Sequence, residues 1–448
     1  MYFLAASLLM AAPVFTSCSD DDDPVPEKPV DPKPEEPEEP ETPVVKNPIE
    51  SAITYKTAEG VPQLVLTMGD DQTPVLGKAV VFTPDAAEPT KKASLTLTGD
   101  QLNLVEMIAG AVSNRATDMT LTELLEQLSA VQLPGVVPGE PSTTVAVEIS
   151  EIKDETVFFS GKSEQDGRTV TLSGTAKTDR LVLNVNTVFT HELATTAWST
   201  MPVSEDDPLA PFHIQWKQNL PEGAELPEME AVLNFVMSML SVGDLTLSEA
   251  LNAALQSVTF LPDGNIQASY LDTDNMAAGY QTSPLHLVNY SVDAANRMLY
   301  LQLNIPQIVY VTSQKEAALR EAESGSDSAL QELLPDLLAV LPGIVQNVMP
   351  MLTSGIPLHY ELNGDQLCLY LGKEVLKPIL DALSPLTQSE KVQQMVVAFI
   401  EAQLKEAGQE EYAQLASAIV KAFLVIYPQI MESTEDIQLG IELTKLAQ

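Results

Sequence analysis

The stretch IPLHYELNGDQLCLYL (residues 356–371) decides the fold. Two short runs rich in Leu, Tyr and Ile flank Asn363-Gly364, and an Asn-Gly pair between alternating apolar runs is the strongest short-range signal for a tight antiparallel hairpin. The second run, LCLYL, reads as apolar, so Cys368 is expected to be a small buried strand residue with a free thiol. A second segment, NYSVDAANRMLYL (289–301), can be laid on HYELNGDQLCLYL (359–371) with matching Tyr and Leu positions. Repetition of this kind suggests duplicated modules of antiparallel sheet.

Further strands lie upstream. Phe212, Ile214 and Trp216 alternate with His213, Gln215 and Lys217, as a strand with one buried face requires. Val258–Phe260 runs through the turn Pro262-Asp263-Gly264 to Ile266–Leu271, and Leu285–Val292 and Arg297–Leu303 form a hairpin around Asp293. Nearer the N-terminus, Leu64–Met68, Lys78–Phe82, Ser94–Thr98, Thr144–Ile152, Thr156–Gly161, Thr169–Thr175 and Arg180–Phe189 all read as strands. Asp166-Gly167 and Lys177-Thr178-Asp179 supply turns between them.

Helical text is inserted among these strands. Leu102–Val112, Leu121–Leu128, Leu226–Leu240, Leu245–Leu255 and Leu330–Leu352 carry helical spacing. Thr120 with Glu123, and Thr246 with Glu249, have the form of capping boxes. Everything from Glu374 to Gln448 reads as helix, with breaks near Pro385, Gly408 and Pro428. Antiparallel hairpins with inserted helices, rather than alternating βα units, indicate an α+β fold of barrel-like antiparallel sheet modules with a C-terminal helical segment. The expected divisions are a signal peptide over 1–17, a tether over 18–48, α+β modules over 49–190 and 191–372, and helices over 373–448 packing on the second module.

Composition limits the function. Sixty-three acidic against 23 basic residues give a net charge of −40, which repels phosphate backbones and excludes nucleic acid as a partner. Hydrophobic residues make up 45% of the 448 and charged residues 19%, enough to build a core outside the tether. The two cysteines, Cys18 and Cys368, imply no disulfide framework.

Met1–Phe15 is apolar and too short to span a bilayer, as in the core of a signal peptide, although no basic residue precedes it. Phe15-Thr16-Ser17-Cys18 resembles the lipobox of bacterial lipoproteins, in the Ser-Cys form frequent among Bacteroidetes. Asp20, Asp21, Asp22 and Asp23 resemble the signal that exports such lipoproteins to the cell surface. The resemblance implies lipidation at Cys18 and an outer-membrane anchor facing the exterior. Nine prolines from Pro24 to Pro48, interleaved with Glu35, Glu36, Glu38, Glu39 and Glu41, form an extended self-repelling spacer. Trp198 near the start of a module, followed by VTFLPDG (258–264), is similar to the lipocalin-like domains of Bacteroidetes lipoproteins. That likeness extends from Ala194 to Leu303 or Leu371.

Chemical signatures are few. The chain has no HExxH, GxSxG, Walker-type loop, CxxC or EF-hand pattern. His191, His213, His286 and His359 show no metal-ligand spacing, and Asp272, Asp274 and Asn275 lack the glycine and terminal Glu of a known Ca²⁺ loop. No catalytic residue, metal or cofactor is therefore expected. The nearly uncharged helices at 226–240 and 337–352 read either as core or as the lining of an apolar cavity. The resulting expectation is a lipid-anchored, non-enzymatic binding module for a hydrophobic or small ligand, with an outer-membrane protein as a candidate partner. A structural or adhesive surface protein, and a hydrolase with an unrecognised acidic site, are the alternatives.

Overall fold

The computed structural model describes residues 46–58, 60–102, 131–165, 167–220, 226–272, 278–319, 346–406 and 410–446. Cys18, the four aspartates Asp20–Asp23, the tether to residue 45, both helices expected between 103 and 130, and residues 330–345 lie outside the described residues. Mixed α+β architecture dominated by strands is present, as the sequence indicates.

The first strands are β1 (Ile53–Lys56), β2 (Gln63–Met68), β3 (Lys78–Pro84) and β4 (Lys92–Gly99), followed by a two-residue ribbon of β5 (Gln101–Leu102) and β6 (Val131–Gln132). Four longer strands follow: β7 (Ser142–Lys153), β8 (Thr156–Gln165), β9 (Arg168–Ala176) and β10 (Arg180–Phe189). Among the described residues, eight strands close into a barrel in the order β1-β2-β10-β9-β8-β7-β4-β3. Pairing is antiparallel except at β2, which runs parallel to both β1 and β10.

Strict alternation explains the barrel's core. In β4 the buried positions are Ala93, Leu95, Leu97 and Gly99, and in β10 they are Leu181, Leu183, Val185, Thr187 and Phe189. Leu66, Phe82, Leu95, Leu97, Leu181 and Leu183 are fully buried in one cluster with Phe159 and Val145. An eight-stranded barrel is just narrow enough for side chains to fill it. Val136 and Val137 join this cluster, and the buried Lys78 ammonium holds their segment by donating to the carbonyls of Pro134 and Gly135, both at 2.9 Å.

The remaining strands are β11 (Ala197–Thr200), β12 (Phe212–Gln218), β13 (Ser241–Val242), β14 (Leu245–Thr246), β15 (Leu255–Phe260), β16 (Ile266–Leu271), β17 (Tyr280–Thr282), β18 (Val288–Asp293), β19 (Met298–Leu303), β20 (Ile356–Asn363), β21 (Gln366–Leu371) and β22 (Thr434–Lys445). Helices are α1 (Met229–Met239), α2 (Leu247–Ala254), α3 (Ile305–Leu319), α4 (Lys373–Thr387), α5 (Glu390–Glu406) and α6 (Glu410–Ser433). A second sheet, antiparallel throughout, has the order β17-β16-β15-β11-β22-β21-β20-β19-β18, with β12 also paired to β22. Its end strand β18 comes back to the turn between β15 and β16, where Tyr290 N–H donates to Gly264 O at 2.7 Å. The closed barrel, an architecture consistent with lipocalin-like domains, is thus built by residues 53–189 and not by the segment after Ala194 that carried the resemblance.

Residues 434–445 correct the reading of an all-helical C-terminus. TEDIQLGIELTK places Ile437, Leu439, Ile441 and Leu443 two residues apart, a strand period that the preceding helical run concealed. Strand β22 occupies the middle of the sheet, bonded to β21 on one side and to β12 and β11 on the other. Helices α1, α4 and α6 cover part of the inner face, where Met229, Leu376, Tyr427, Ile430 and Met431 pack on Trp216 and Ile437. Within α6, Gln414–Ser433 is long and apolar enough by length and composition to cross a membrane. Its Leu424, Tyr427, Ile430 and Met431 are nonetheless buried in this packing.

Local expectations fare variously. Thr246 and Glu249 form the expected capping box at α2, with Glu249 N–H donating to Thr246 Oγ1 at 3.2 Å and Thr246 N–H to Glu249 Oε2 at 2.9 Å. Hairpin β20–β21 turns one residue later than expected, because Asn363 pairs with Gln366 and leaves Gly364-Asp365 as the loop. Gly364, with φ +64°, takes the left-handed first position of that turn. Hairpin β18–β19 pairs Asp293 with Met298 and needs a longer loop, so the two aligned segments are both hairpins with different turns.

Candidate functional site

Where the barrel meets the second sheet, their contact is polar and buried. Phe189 N–H, at the end of β10, donates to Pro262 O at 2.7 Å, and Leu76 N–H donates to Gln307 Oε1 at 3.0 Å. Asn304 Nδ2 donates to Leu76 O at 3.2 Å, and Gly139 N–H to Gln302 Oε1 at 3.1 Å. Gln302, Asn304 and Gln307 are all buried.

A cleft of about 520 Å³ opens along this seam, lined by Glu140, Gln165, Arg168 and Phe189 from the barrel side and by His191, Ser291, Asp293 and Tyr300 beyond it. Arg168 enters it because β9 begins immediately after the tight turn at Gly167, which has φ +73°. Its side chain is only 9% exposed and its guanidinium lies 2.6 Å from Glu140 Oε1. Gln165 also accepts from Arg168, and Thr143 donates to the other Glu140 oxygen. Arg168 Nε remains buried without a hydrogen-bond partner.

His191 follows two residues after the end of β10, wedged among rings. Its centroid is 5.3 Å from that of Tyr290, nearly edge-on, and 5.7 Å from that of Phe189. Both ring nitrogens are buried and neither has a partner. Burial holds the imidazole below its ordinary value despite the opposing charge of Glu192, so the ring is neutral at pH 7. A neutral imidazole offers one donor and one acceptor.

A larger groove of about 910 Å³ crosses the outside of β3, β4, β7 and β8. Its Lys92 pairs with Glu88 at 2.6 Å, and none of the buried unpartnered polar atoms lies there. The seam cleft is the better candidate, because buried polar groups without partners are rare and those of Arg168 and His191 belong to residues that line it.

The four histidines are distributed over three places. His191 lines the cleft, and His286 faces Asp71 of the barrel at 3.1 Å. His213 and His359 lie on the outer face of the second sheet, on either side of Tyr370, at centroid distances of 5.3 and 5.1 Å. Cys368 shares that outer face and is half-buried. It alternates with the core leucines Leu367 and Leu369, so the apolar reading of LCLYL missed its direction. Burial, with the charges of Glu442 and Glu361, pushes its thiol up to about 12. Asp274 and Asn275 lie outside the described residues.

Arg168 and Glu140 were not singled out from sequence. Twenty-eight positions separate them, and no local pattern announces a pairing made only when the barrel closes. No family model matches the chain, and comparison with curated proteins and with solved structures likewise finds no match.

Proposed function

We propose that the chain is a non-enzymatic binding module, anchored to the outer membrane by lipid on Cys18, that takes a small hydroxyl-rich ligand in the seam cleft. The observation that carries the ligand reading is the set of three buried nitrogens without partners, Arg168 Nε and both nitrogens of His191, on two residues that line one cleft. A hydroxyl group both donates and accepts, which is what a neutral imidazole requires on its two sides. Glu140 and Asp293 add acceptors for further hydroxyls, and Phe189 and Tyr300 add ring surface. A volume near 520 Å³ suits one or two sugar rings. The packed barrel turns the reading away from a hydrophobic ligand held on the barrel axis and toward a polar one at its rim.

Isothermal titration of the purified chain with a panel of neutral mono- and disaccharides tests this reading. Binding by at least one member is expected, with Arg168→Met and His191→Phe each weakening it about tenfold or more, the worth of a hydrogen bond to a charged or buried group. Failure of every sugar to bind, or binding indifferent to both substitutions, overturns it.

A further inference from the structure

The outer face of the second sheet carries a cluster remote in sequence and separate in role from the cleft. Cys368 on β21 is the direct cross-strand partner of Glu361 on β20 and of Glu442 on β22. The neighbouring row is His359, Tyr370, Gly440 and His213, each opposite the next across four strands. With no side chain at Gly440, the rings of Tyr370 and His213 meet over it, and His213 Nδ1 lies 3.3 Å from Glu442 Oε1. One ligand atom each from His213, Cys368 and Glu442 lie within 4.8 Å of one another. These residues, with Glu361 and Met201, line a small cavity of about 140 Å³.

The hydrogen bonds fix the orientation of the imidazole. Gln438 Nε2 donates to Asp436 Oδ2 at 3.2 Å, which turns the Gln438 carbonyl oxygen toward His213 Nε2 at 3.1 Å. That oxygen can only accept, so His213 Nε2 carries the hydrogen. The other ring nitrogen, Nδ1, faces a carboxylate oxygen of Glu442 with the Cys368 thiol alongside. A positive species between them is what this arrangement calls for. An orienting hydrogen bond on the far nitrogen is also the usual support of a metal-bound imidazole.

We infer that His213 Nδ1, Cys368 Sγ and a Glu442 oxygen form a binding site for one divalent cation of the Zn²⁺ class, with Glu361 or a water completing a tetrahedral set. Nitrogen and sulfur donors select against Ca²⁺ and Mg²⁺, which take oxygen ligands, and favour the borderline-soft ions. All three donors stand on paired strands, so the site is built by the sheet and requires no loop to order around the ion. Asp436 and Gln438 are its supporting layer.

Cobalt is the diagnostic probe, because a chain with 63 acidic residues binds cations weakly at many surface positions, whereas only a cysteine ligand gives thiolate-to-cobalt charge-transfer absorption. In full-length protein carrying Cys18→Ser, which leaves Cys368 as its one thiol, Co²⁺ is expected to produce that near-ultraviolet band and one equivalent of Zn²⁺ to abolish it. Cys368→Ser should eliminate the band, and His213→Gln and Glu442→Gln should each weaken Zn²⁺ binding about tenfold or more. Gln438→Leu, outside the ligand set, should weaken it roughly 10- to 100-fold while the far-ultraviolet circular dichroism stays native. Absence of the band, or Zn²⁺ affinity unchanged by Gln438→Leu and His213→Gln in folded protein, overturns the inference. It would leave a proton as the species shared by His213 and Glu442.

Discussion

His286 Nε2 lies 3.1 Å from Asp71 Oδ2, joining the second sheet to the barrel through a histidine that is 2% exposed. Its backbone N–H donates to Asn265 Oδ1 at 2.8 Å, and its φ of +64° shows that this fixed position is reached through left-handed backbone. Burial lowers the His286 pKa below 6.5, outweighing the opposing charges of Asp71 and Asp263. The unfolded chain therefore takes up a proton near pH 6.5 that the folded chain refuses, and stability falls as pH drops below that value. His191 is lowered by burial as well and acts in the same direction. Urea unfolding is expected to show a lower midpoint at pH 5.5 than at pH 7.5, and His286→Gln should flatten that dependence. A midpoint unchanged over this range would contradict the assignment of a buried neutral histidine at the seam.

The last strand makes a prediction about truncation. Strand β22 pairs with β11, β12 and β21, and its Ile437 and Leu443 are buried in two different clusters of the sheet's inner face. A chain ending at Ser433 loses the central strand, exposing the ladders of three others as open edges. Limited proteolysis should then degrade residues beyond about 190 rapidly while a fragment containing the barrel persists. A truncated chain as resistant as the whole would mean that β22 is dispensable.

Lipidation at Cys18 is the proposed means of attachment, and a substitution isolates it. Cys18→Ala should move the protein from the membrane fraction to the soluble fraction when expressed from its own gene, because no thiol then remains at the head of the 18–48 tether. Retention in the membrane fraction would assign the attachment to another part of the chain.

Many strands with one buried face were legible, since β4, β10 and β12 announce themselves by alternation. What could not be read was which strand pairs with which. Alternation is the same for parallel and antiparallel neighbours, so the parallel placement of β2 between β1 and β10 has no local signature. The lipocalin-like resemblance lies after Ala194 whereas the closed barrel lies before it, because closure depends on β1 meeting β3 and not on any motif. Strand β22 was lost to the helical run before it, although Ile437, Leu439, Ile441 and Leu443 mark one face plainly. The His213, Cys368 and Glu442 cluster draws on three strands far apart in sequence, and only the register assembles it.

Gly440 couples the stability of that sheet to the proposed cation site. A Cβ at this position would lie 2.0 Å from Leu369 O and 2.6 Å from Tyr370 Cα, and backbone atoms in a central ladder cannot give way cheaply. Gly440→Ala should therefore destabilise the protein by about 1–3 kcal/mol, the usual cost of overpacking. It should also force apart β21 and β12, which carry Cys368 and His213 on either side of β22. Gly364→Ala provides the comparison, since a Cβ there meets nothing within 4 Å and only its turn, with φ +64°, is strained. Both variants should unfold at lower urea, but only Gly440→Ala should also diminish the cobalt charge-transfer band. Equal cobalt spectra in the two would separate the glycine's role in packing from the geometry of the ligands.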